Sequence, residues 1–270
     1  MTVNRWCGSS LQAVQMAAGL IATNAGEAFI AGGAESMTKV PMMGFNMMPP
    51  PERSAVEVAD FTNMGLTAEH VAAECNVTRH QQDAFAVASQ AKALAAQAAG
   101  RFADEIAPVT VGGATVAADG CVRETTLDQL AGLRTVFLEN GTVTAGTSSP
   151  MTDGATAVMV CSEAFVRRHG LTPLARVASF AVSGCEPAMM GLGPIESSRK
   201  ALRRAGLTIA DIGVVEMNEA FAAPVSSVPE AWAPASPRSS PMPACRSTCW
   251  TCRRPRAAAT PAPRRALPTS

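Results

Sequence analysis

Apolar residues near the start of the chain recur at the spacing of a helix. Four of them fall on one face of such a helix: Leu11, Val14, Ala18 and Ile21. Ser9 and Ser10 are residue types that commonly cap the first turn, and Asn24 with Gly26 is a typical end signal. The pattern therefore predicts a helix that starts at the two serines and stops before Asn24.

Three later stretches also have helical periodicity with recognisable ends. One begins at residues 64–69, where Thr67 can serve as the cap. A second follows the cap residue Thr78 and continues to a glycine about 20 residues on. A third, residues 196–205, ends at Gly206, a common stop for a helix.

Shorter runs of β-branched and alternating residues predict strands. They lie at residues 27–31, 106–116, 175–183 and 212–217. The run 151–158 fits either a helix or a strand. The first strand is expected to end at Gly32-Gly33, where the absence of side chains would allow a ligand or another segment to approach, or would simply serve a turn. Helices and strands mixed along one chain predict an α/β fold, in which the strand at 175–183 crosses between two halves.

Composition limits what the core can be made of. The chain has 270 residues, enough for one large or two small domains, and 47% of them are hydrophobic. Only 4% are aromatic and none is tyrosine, so the core must be built from aliphatic side chains and methionine.

The net charge of zero hides two unlike parts. Residues 1–228 carry 15 lysines and arginines against 21 acids, a net charge of −6, whereas residues 229–270 carry seven arginines and one acid, a net charge of +6. The last part also has nine prolines and neither helical nor alternating periodicity. Such a composition cannot bury a core, so we expect residues 229–270 to be disordered and to have a separate origin, such as translation out of frame.

Several classes of function find little support. No run of about 18 apolar residues is present, so a membrane span is not expected. Neither a secretory signal nor a nucleic-acid partner is expected, and the eight cysteines form no disulfide framework, which favours the reducing cytoplasm. Metal sites are not indicated, because His70 and His80 have no second ligand at metal-binding spacing and the Cys-x-x-Cys that ends at Cys252 lacks a fourth ligand. A dinucleotide site is only weakly indicated, because the Gly-x-Gly at 191–193 lacks the third glycine of that motif.

Cys7 is the first candidate for chemistry. It lies in a polar turn at the entrance of the first predicted helix, where unpaired backbone N–H groups carry partial positive charge. That charge favours the thiolate, which is the nucleophilic form. The alternative is a buried cysteine that acts as a small hydrophobe.

The amino-acid sequences of three segments resemble those of the thiolases, the acetyl-CoA acyltransferases. Residues 4–13 read Asn-Arg-Trp-Cys-Gly-Ser-Ser-Leu-Gln-Ala, residues 31–38 read Ala-Gly-Gly-Ala-Glu-Ser-Met-Thr, and residues 218–222 read Asn-Glu-Ala-Phe-Ala. Residues 77–83 and 137–149 resemble further stretches of that family, including the loop domain over its active site. The resemblance extends from about residue 2 to residue 228.

The resemblance implies a fold, a reaction and a set of site residues. The fold would be a partial αβαβα arrangement of two related halves plus a loop domain. Cys7 would attack a 3-oxoacyl-CoA and carry the acyl group as a thioester, while Asn218 would stabilise the enolate of the acetyl unit. Coenzyme A would be a substrate, with no permanently bound cofactor and no metal. The residues implied to contact the acyl-CoA are Met64, Phe137, Ser149, Met190 and Phe221.

Simpler roles exist for some of these residues. Ser149 could cap a turn in a hairpin-like segment, and Asn218 could cap the helix that follows it. The segment 41–51, rich in Met and Pro, could line an adaptable acyl pocket or form a surface loop.

The chain departs from the family pattern at both ends. The resemblance implies strands before the nucleophile, and downstream a Gly-His-Pro histidine and a Cys-x-Gly cysteine; here no histidine follows His169. Sheet edges and faces should therefore be unpaired. The expected division is residues 1–40 as the remainder of the N-terminal half, 41–145 as loop domain and return segment, 146–228 as the end of that half and the start of the next, and 229–270 as the tail. The resemblance also implies a homodimer or homotetramer. The alternative to a working enzyme is a remnant that at most binds an acyl-CoA or a partner subunit.

Overall fold

The computed structural model describes residues 1–41 and 62–232, with side chains described as far as residue 228. The Met-rich segment apart from Pro41, and the Pro/Arg-rich tail apart from the backbone of its first four residues, lie outside this range. In chain order the elements are α1 (Ser9–Ala22), β1 (Ala28–Glu35), α2 (Met64–Glu74), α3 (Arg79–Ala98), β2 (Val109–Val111), β3 (Ala114–Val116), α4 (Leu127–Ala131), β4 (Gly154–Cys161), α5 (Glu163–Arg168), α6 (Gly193–Ala205) and α7 (Ala222–Trp232). Short 3₁₀ segments lie at Ala145–Thr147, Pro187–Leu192 and Ile209–Asp211.

The first helix forms where the apolar periodicity predicts it, but its start differs. Gly8 occupies the cap position and makes no side-chain cap, so the prediction of a serine cap is wrong. Ser9 is instead the first helical residue, and its hydroxyl accepts from the Arg5 amide (2.8 Å) and donates to the Trp6 carbonyl (2.7 Å). The predicted end is confirmed, because the helix stops at Ala22 and Asn24 adopts a left-handed φ of 58°.

One antiparallel ladder joins β1 to β4, from Ala28 opposite Cys161 to Glu35 opposite Gly154. The prediction that β1 ends at the glycine pair is wrong, since the strand continues through both glycines. The open side of Gly33 faces α1, where an added Cβ would lie 3.6 Å from the Ser10 Oγ. α1 therefore approaches the glycine pair closely. Close approach by another segment is one of the explanations given above for the two glycines. The run 151–158 resolves as a strand from Gly154 onward.

The faces of this layer are poorly covered, as the expected lack of neighbouring strands predicts. Ile30 on β1 is 78% exposed, and Val158 and Met159 on β4 are 52% and 57% exposed. On α1, Leu11 is exposed, and the other three residues of its apolar face are half-buried. Within the described residues, the β1–β4 sheet has two strands only.

The best-packed part of the described chain is helical. α2 and α3 both pack on α7, and Val71, Val143 and Val228 in this part of the chain are fully buried. Thr78 caps α3 with a reciprocal capping box, as predicted. Asn63, not Thr67, caps α2; Thr67 is a buried helical residue, so that cap prediction is wrong.

Two predicted strands are absent from the described structure, and those predictions are wrong. Residues 175–183 and 212–217 have no regular secondary structure. A strand requires a neighbouring strand to complete its backbone hydrogen bonds. The first segment instead lies along α6, whose Lys200 and Arg204 side chains donate to the carbonyls of Val182 and Phe180. The third predicted helix begins three residues early and ends at Gly206, which has the left-handed φ of 68°.

Candidate active site

The five residues implied to contact the acyl-CoA come from segments that meet around α2 and the start of α7. They are Met64, Phe137, Ser149, Met190 and Phe221. Met64 is the first residue of α2, and Met190 lies in the 3₁₀ segment Pro187–Leu192, which packs on α2 and on α7. Phe221 directly precedes α7. Segments separated by up to 157 positions in the chain therefore converge.

Phe137 is the centre of these contacts. Its ring meets that of Phe221 edge to face, with centroids 5.9 Å apart and planes at 80°. The same ring covers Gly65 so closely that a Cβ at that position would overlap it. Since such pairs stabilise beyond simple burial, Phe137 is fixed between the start of α2 and the start of α7.

Ser149 is joined to the same place through its backbone. Its amide donates to the Ala220 carbonyl (2.9 Å), and Ser148 forms an isolated bridge with Phe221. The Ser149 side chain is exposed and so is free to meet a ligand. Ser149 caps none of the described helices, which leaves the simpler role proposed for it without support.

Met190 has an exposed side chain on a closely packed backbone. A Cβ at the neighbouring Gly191 would lie 2.8 Å from the Pro224 ring of α7 and 3.6 Å from Val71 of α2. Glycine is therefore required for this segment to lie against both helices. The methionine is 38% exposed and stands at the edge of the cluster.

Asn218 lies three residues before Phe221, in an irregular and exposed segment. Because α7 begins at Ala222, Asn218 does not cap it, so that alternative is wrong. The adjacent Glu219 holds the segment to α3, since its carboxylate accepts from the Ser89 hydroxyl (2.5 Å). Loss of hydration raises the pKa of Glu216, and the nearby carboxylates of Glu105 and Glu219 raise it further.

Cys7 lies in a tight turn just ahead of α1. The Gly8 amide donates to the Arg5 carbonyl (3.0 Å) and the Ser9 amide to the Trp6 carbonyl (3.0 Å). Trp6 has a φ of 52°, a rare and strained value for a tryptophan. Cys7 itself is an exposed free thiol, so the alternative of a buried cysteine is wrong.

The structure does not join Cys7 to the cluster around Phe137. Across residues 1–41 and 62–232, no hydrogen bond or ring contact links the two. α1 packs on β1 and β4, whereas α2 packs on α7 and on the segment that carries Met190.

Three contacts of this region have no signal in the sequence. They are the carboxylates of Glu69, Asp153 and Glu219, which accept from residues 73, 115 and 130 positions away. A hydrogen bond between residues so far apart in the chain produces no periodicity or local spacing in the sequence. Within the described ranges there is no group of three or more side chains suited to a metal ion, and no helix long and apolar enough to cross a membrane.

Comparison with known proteins identifies the class. The thiolase N-terminal domain matches residues 1–164, and the thiolase C-terminal domain matches residues 171–232. The fold is also that of solved thiolases: human mitochondrial 3-ketoacyl-CoA thiolase superposes with a TM-score of 0.76 at 37% identity, over 86% of this chain and 62% of that one. A second structure of the human protein, in complex with CoA, superposes equally well.

The chain belongs to the thiolase family. It is 48% identical to the 3-ketoacyl-CoA thiolase of Shewanella putrefaciens over 231 residues, which cover 83% of this chain and 59% of the relative. It is 45% identical to the acetyl-CoA acetyltransferase of Rhizobium meliloti, over 84% of this chain and 62% of that protein. The chain thus spans about three fifths of the length of these curated relatives.

Proposed function

We propose that the chain catalyses, as part of a thiolase, the thiolytic cleavage of a 3-oxoacyl-CoA to acetyl-CoA and a shortened acyl-CoA. The observation that carries the proposal is that the segments bearing Met64, Phe137, Ser149, Met190 and Phe221 meet around α2 and the start of α7. Apolar, aromatic and hydroxyl groups side by side suit the pantetheine arm of coenzyme A and the acyl chain attached to it. The relatives' names and the CoA complex of the human protein support the same ligand.

The chemistry assigned to Cys7 is covalent catalysis. Its thiolate attacks the keto carbon, and the bond between that carbon and the α-carbon breaks. The electron pair stays with the acetyl-CoA as an enolate, which then takes up a proton. A second coenzyme A, as its thiolate, then attacks the Cys7 thioester. The acyl group passes to the sulfur of coenzyme A, and the Cys7 sulfur is released. Two thioester steps thus replace one difficult cleavage of a carbon–carbon bond.

Asn218 is proposed to donate its amide to the developing enolate oxygen, a role in which a positioned donor contributes most. The reverse condensation would use the same groups. We further propose that the reaction takes place in the cytoplasm, which suits five described cysteines that are all free thiols. A homodimer or homotetramer, as the family resemblance implies, can be tested by sedimentation.

A second candidate is a protein that binds acyl-CoA without turnover. The observation behind this alternative is that none of the three histidines, at positions 70, 80 and 169, stands in a Gly-His-Pro sequence. Removal of one member of a coupled catalytic group commonly costs as much as removal of several.

Thiolysis of a 3-oxoacyl-CoA by the purified chain and by Cys7→Ala separates the two candidates. Turnover that Cys7→Ala abolishes supports the enzyme. Iodoacetamide labelling adds a matched control, because Cys7 and Cys185 are both exposed free thiols. Activated Cys7 should react at least about tenfold faster than Cys185 and should be protected by acyl-CoA. Equal labelling rates, no protection and no turnover would contradict both the enzyme and the binding protein.

A further inference from the structure

Glu69 carries a buried carboxylate that the proposed chemistry does not use. It lies on α2, one turn after Gly65, and is 5% exposed. Both of its oxygens accept from the Thr142 amide (2.9 and 2.8 Å). One oxygen also accepts from the Thr142 hydroxyl (2.9 Å), and the other accepts from the Val143 amide (2.8 Å).

The partners of this carboxylate are unusual because they are all neutral. Among the described residues, no ion pair involves Glu69. A buried carboxylate is costly unless it is fully hydrogen-bonded, and bonds to a charged acceptor are about twice as strong as neutral ones. The carboxylate therefore holds the backbone of residues 142 and 143 in one fixed position against α2.

The held segment is one arm of the hairpin that carries Phe137. The Val136 amide donates to the Val143 carbonyl (3.1 Å), and Thr135 pairs with Thr144. The residue before Phe137 is thus hydrogen-bonded to Val143, one of the two residues that Glu69 holds. Its ring covers Gly65, so α2 fastens the hairpin at two points four residues apart.

Two further contacts hold the hairpin against α2 and α3. A Cβ at Gly141 would overlap the Glu69 carboxylate, so only glycine allows the approach. From the other side, Gln82 of α3 donates to the Thr142 hydroxyl (2.9 Å), and Gln82 is fully buried.

We propose that Glu69 is a positioning residue of the coenzyme A site: by holding the backbone of Thr142 and Val143 it sets the place of Phe137. The role rests on the proposed function, since it presumes that Phe137 meets the pantetheine arm. It is distinct from substrate contact, because Glu69 is enclosed by the hairpin.

Affinity for coenzyme A, measured by calorimetry on the full chain, tests the role through a double-mutant cycle. Glu69→Gln replaces an acceptor by a donor that faces backbone N–H groups, and we expect the Kd to rise about tenfold, in line with the loss of a buried hydrogen bond. In a Phe137→Ala background the same change should raise the Kd less than about twofold, because Glu69 acts through that ring. Glu74→Gln, on the exposed end of α2, is the matched control and should leave the Kd unchanged.

Thr142→Val provides a milder variant if Glu69→Gln does not fold. It removes the hydroxyl, which donates to Glu69 and accepts from Gln82, and keeps both backbone amides; we expect a rise in Kd of about threefold that also disappears in the Phe137→Ala background. Equal losses of affinity in both backgrounds would refute the positioning role while leaving the coenzyme A site intact. Absence of coenzyme A binding by the unmodified chain would instead refute the proposed function, and this role with it.

Discussion

Substitution of Gly65 by alanine tests the packing of Phe137 on α2. On local grounds the change should stabilise the protein, because alanine is favoured over glycine inside a helix by about 1 kcal/mol. In the structure, however, the new Cβ would overlap three atoms of the Phe137 ring. The ring must move, and its edge-to-face contact with Phe221 must be lost.

The expected magnitude follows from these opposing effects. Overpacking of a well-packed site costs about 1–3 kcal/mol, and the lost aromatic pair about 0.5–1.5 kcal/mol. After subtraction of the gain of about 1 kcal/mol in helix propensity, Gly65→Ala should destabilise the fold by about 2 kcal/mol. Gly19→Ala in α1 is the matched control, since a Cβ there meets no atom within 4 Å and should stabilise α1 by up to about 1 kcal/mol.

Urea unfolding followed by far-ultraviolet circular dichroism measures both effects. The two variants should differ in their free energy of unfolding by about 3 kcal/mol, with opposite signs relative to the parent chain. In a Phe137→Ala background, Gly65→Ala should become neutral or stabilising, because the overlapping ring is gone. A Gly65→Ala variant as stable as Gly19→Ala would refute the close packing of the Phe137 ring on α2.

Three further predictions concern other contacts. The pKa of Asp153 is lowered first by the Thr38 hydroxyl, which donates to it (2.6 Å), and then by the Thr38 amide (3.0 Å). The contribution of Asp153 to stability should therefore be present above the ordinary pKa of 3.8 and be lost as the pH falls below that value. Asp153→Asn should flatten the acid limb of a stability–pH profile, and an unchanged limb would contradict the assignment. Thr78→Ala removes the bond that the Thr78 hydroxyl accepts from the Gln81 amide but keeps the backbone half of the capping box, and it should lower the free energy of unfolding by about 1 kcal/mol; a change below the error of chemical denaturation would show the hydroxyl cap to be dispensable. Amides of the two-stranded β1–β4 ladder should exchange hydrogen faster than those of α2 and α3, and equal protection would contradict the marginal stability expected of such a sheet.

Local signals in the sequence predict the helices better than the strands: β1, β2 and β3 form at predicted runs, whereas the strands expected at 175–183 and 212–217 are absent from the described residues. The cap at Thr78 and the stop at Gly206 act within a few residues, so their chemistry is visible in the sequence. A strand depends on a partner elsewhere in the chain. The alternation at 175–183 is real, yet no strand of the described part of the chain lies beside it. The segment lies along α6, whose side chains donate to its carbonyls.

The candidate site divides in the same way. The family resemblance selects Phe137, Ser149 and Phe221, and their segments meet in the structure. No pattern selects Glu69, because its partners lie 73 and 74 positions away and a single glutamate in a helix is indistinguishable from a solvated one. Cys7 stands apart from the cluster among the described residues, so its part in the reaction stays a prediction.

The ladder between β1 and β4 has a consequence for synthesis on the ribosome. Its closest pair along the chain, Glu35 and Gly154, is 119 residues apart. At the usual rate of translation, β1 must wait roughly 6–25 s after its own synthesis before its partner has been made. During that interval its apolar side chains have no partner strand, so occupancy by a nascent-chain chaperone should be highest while the intervening residues are being translated.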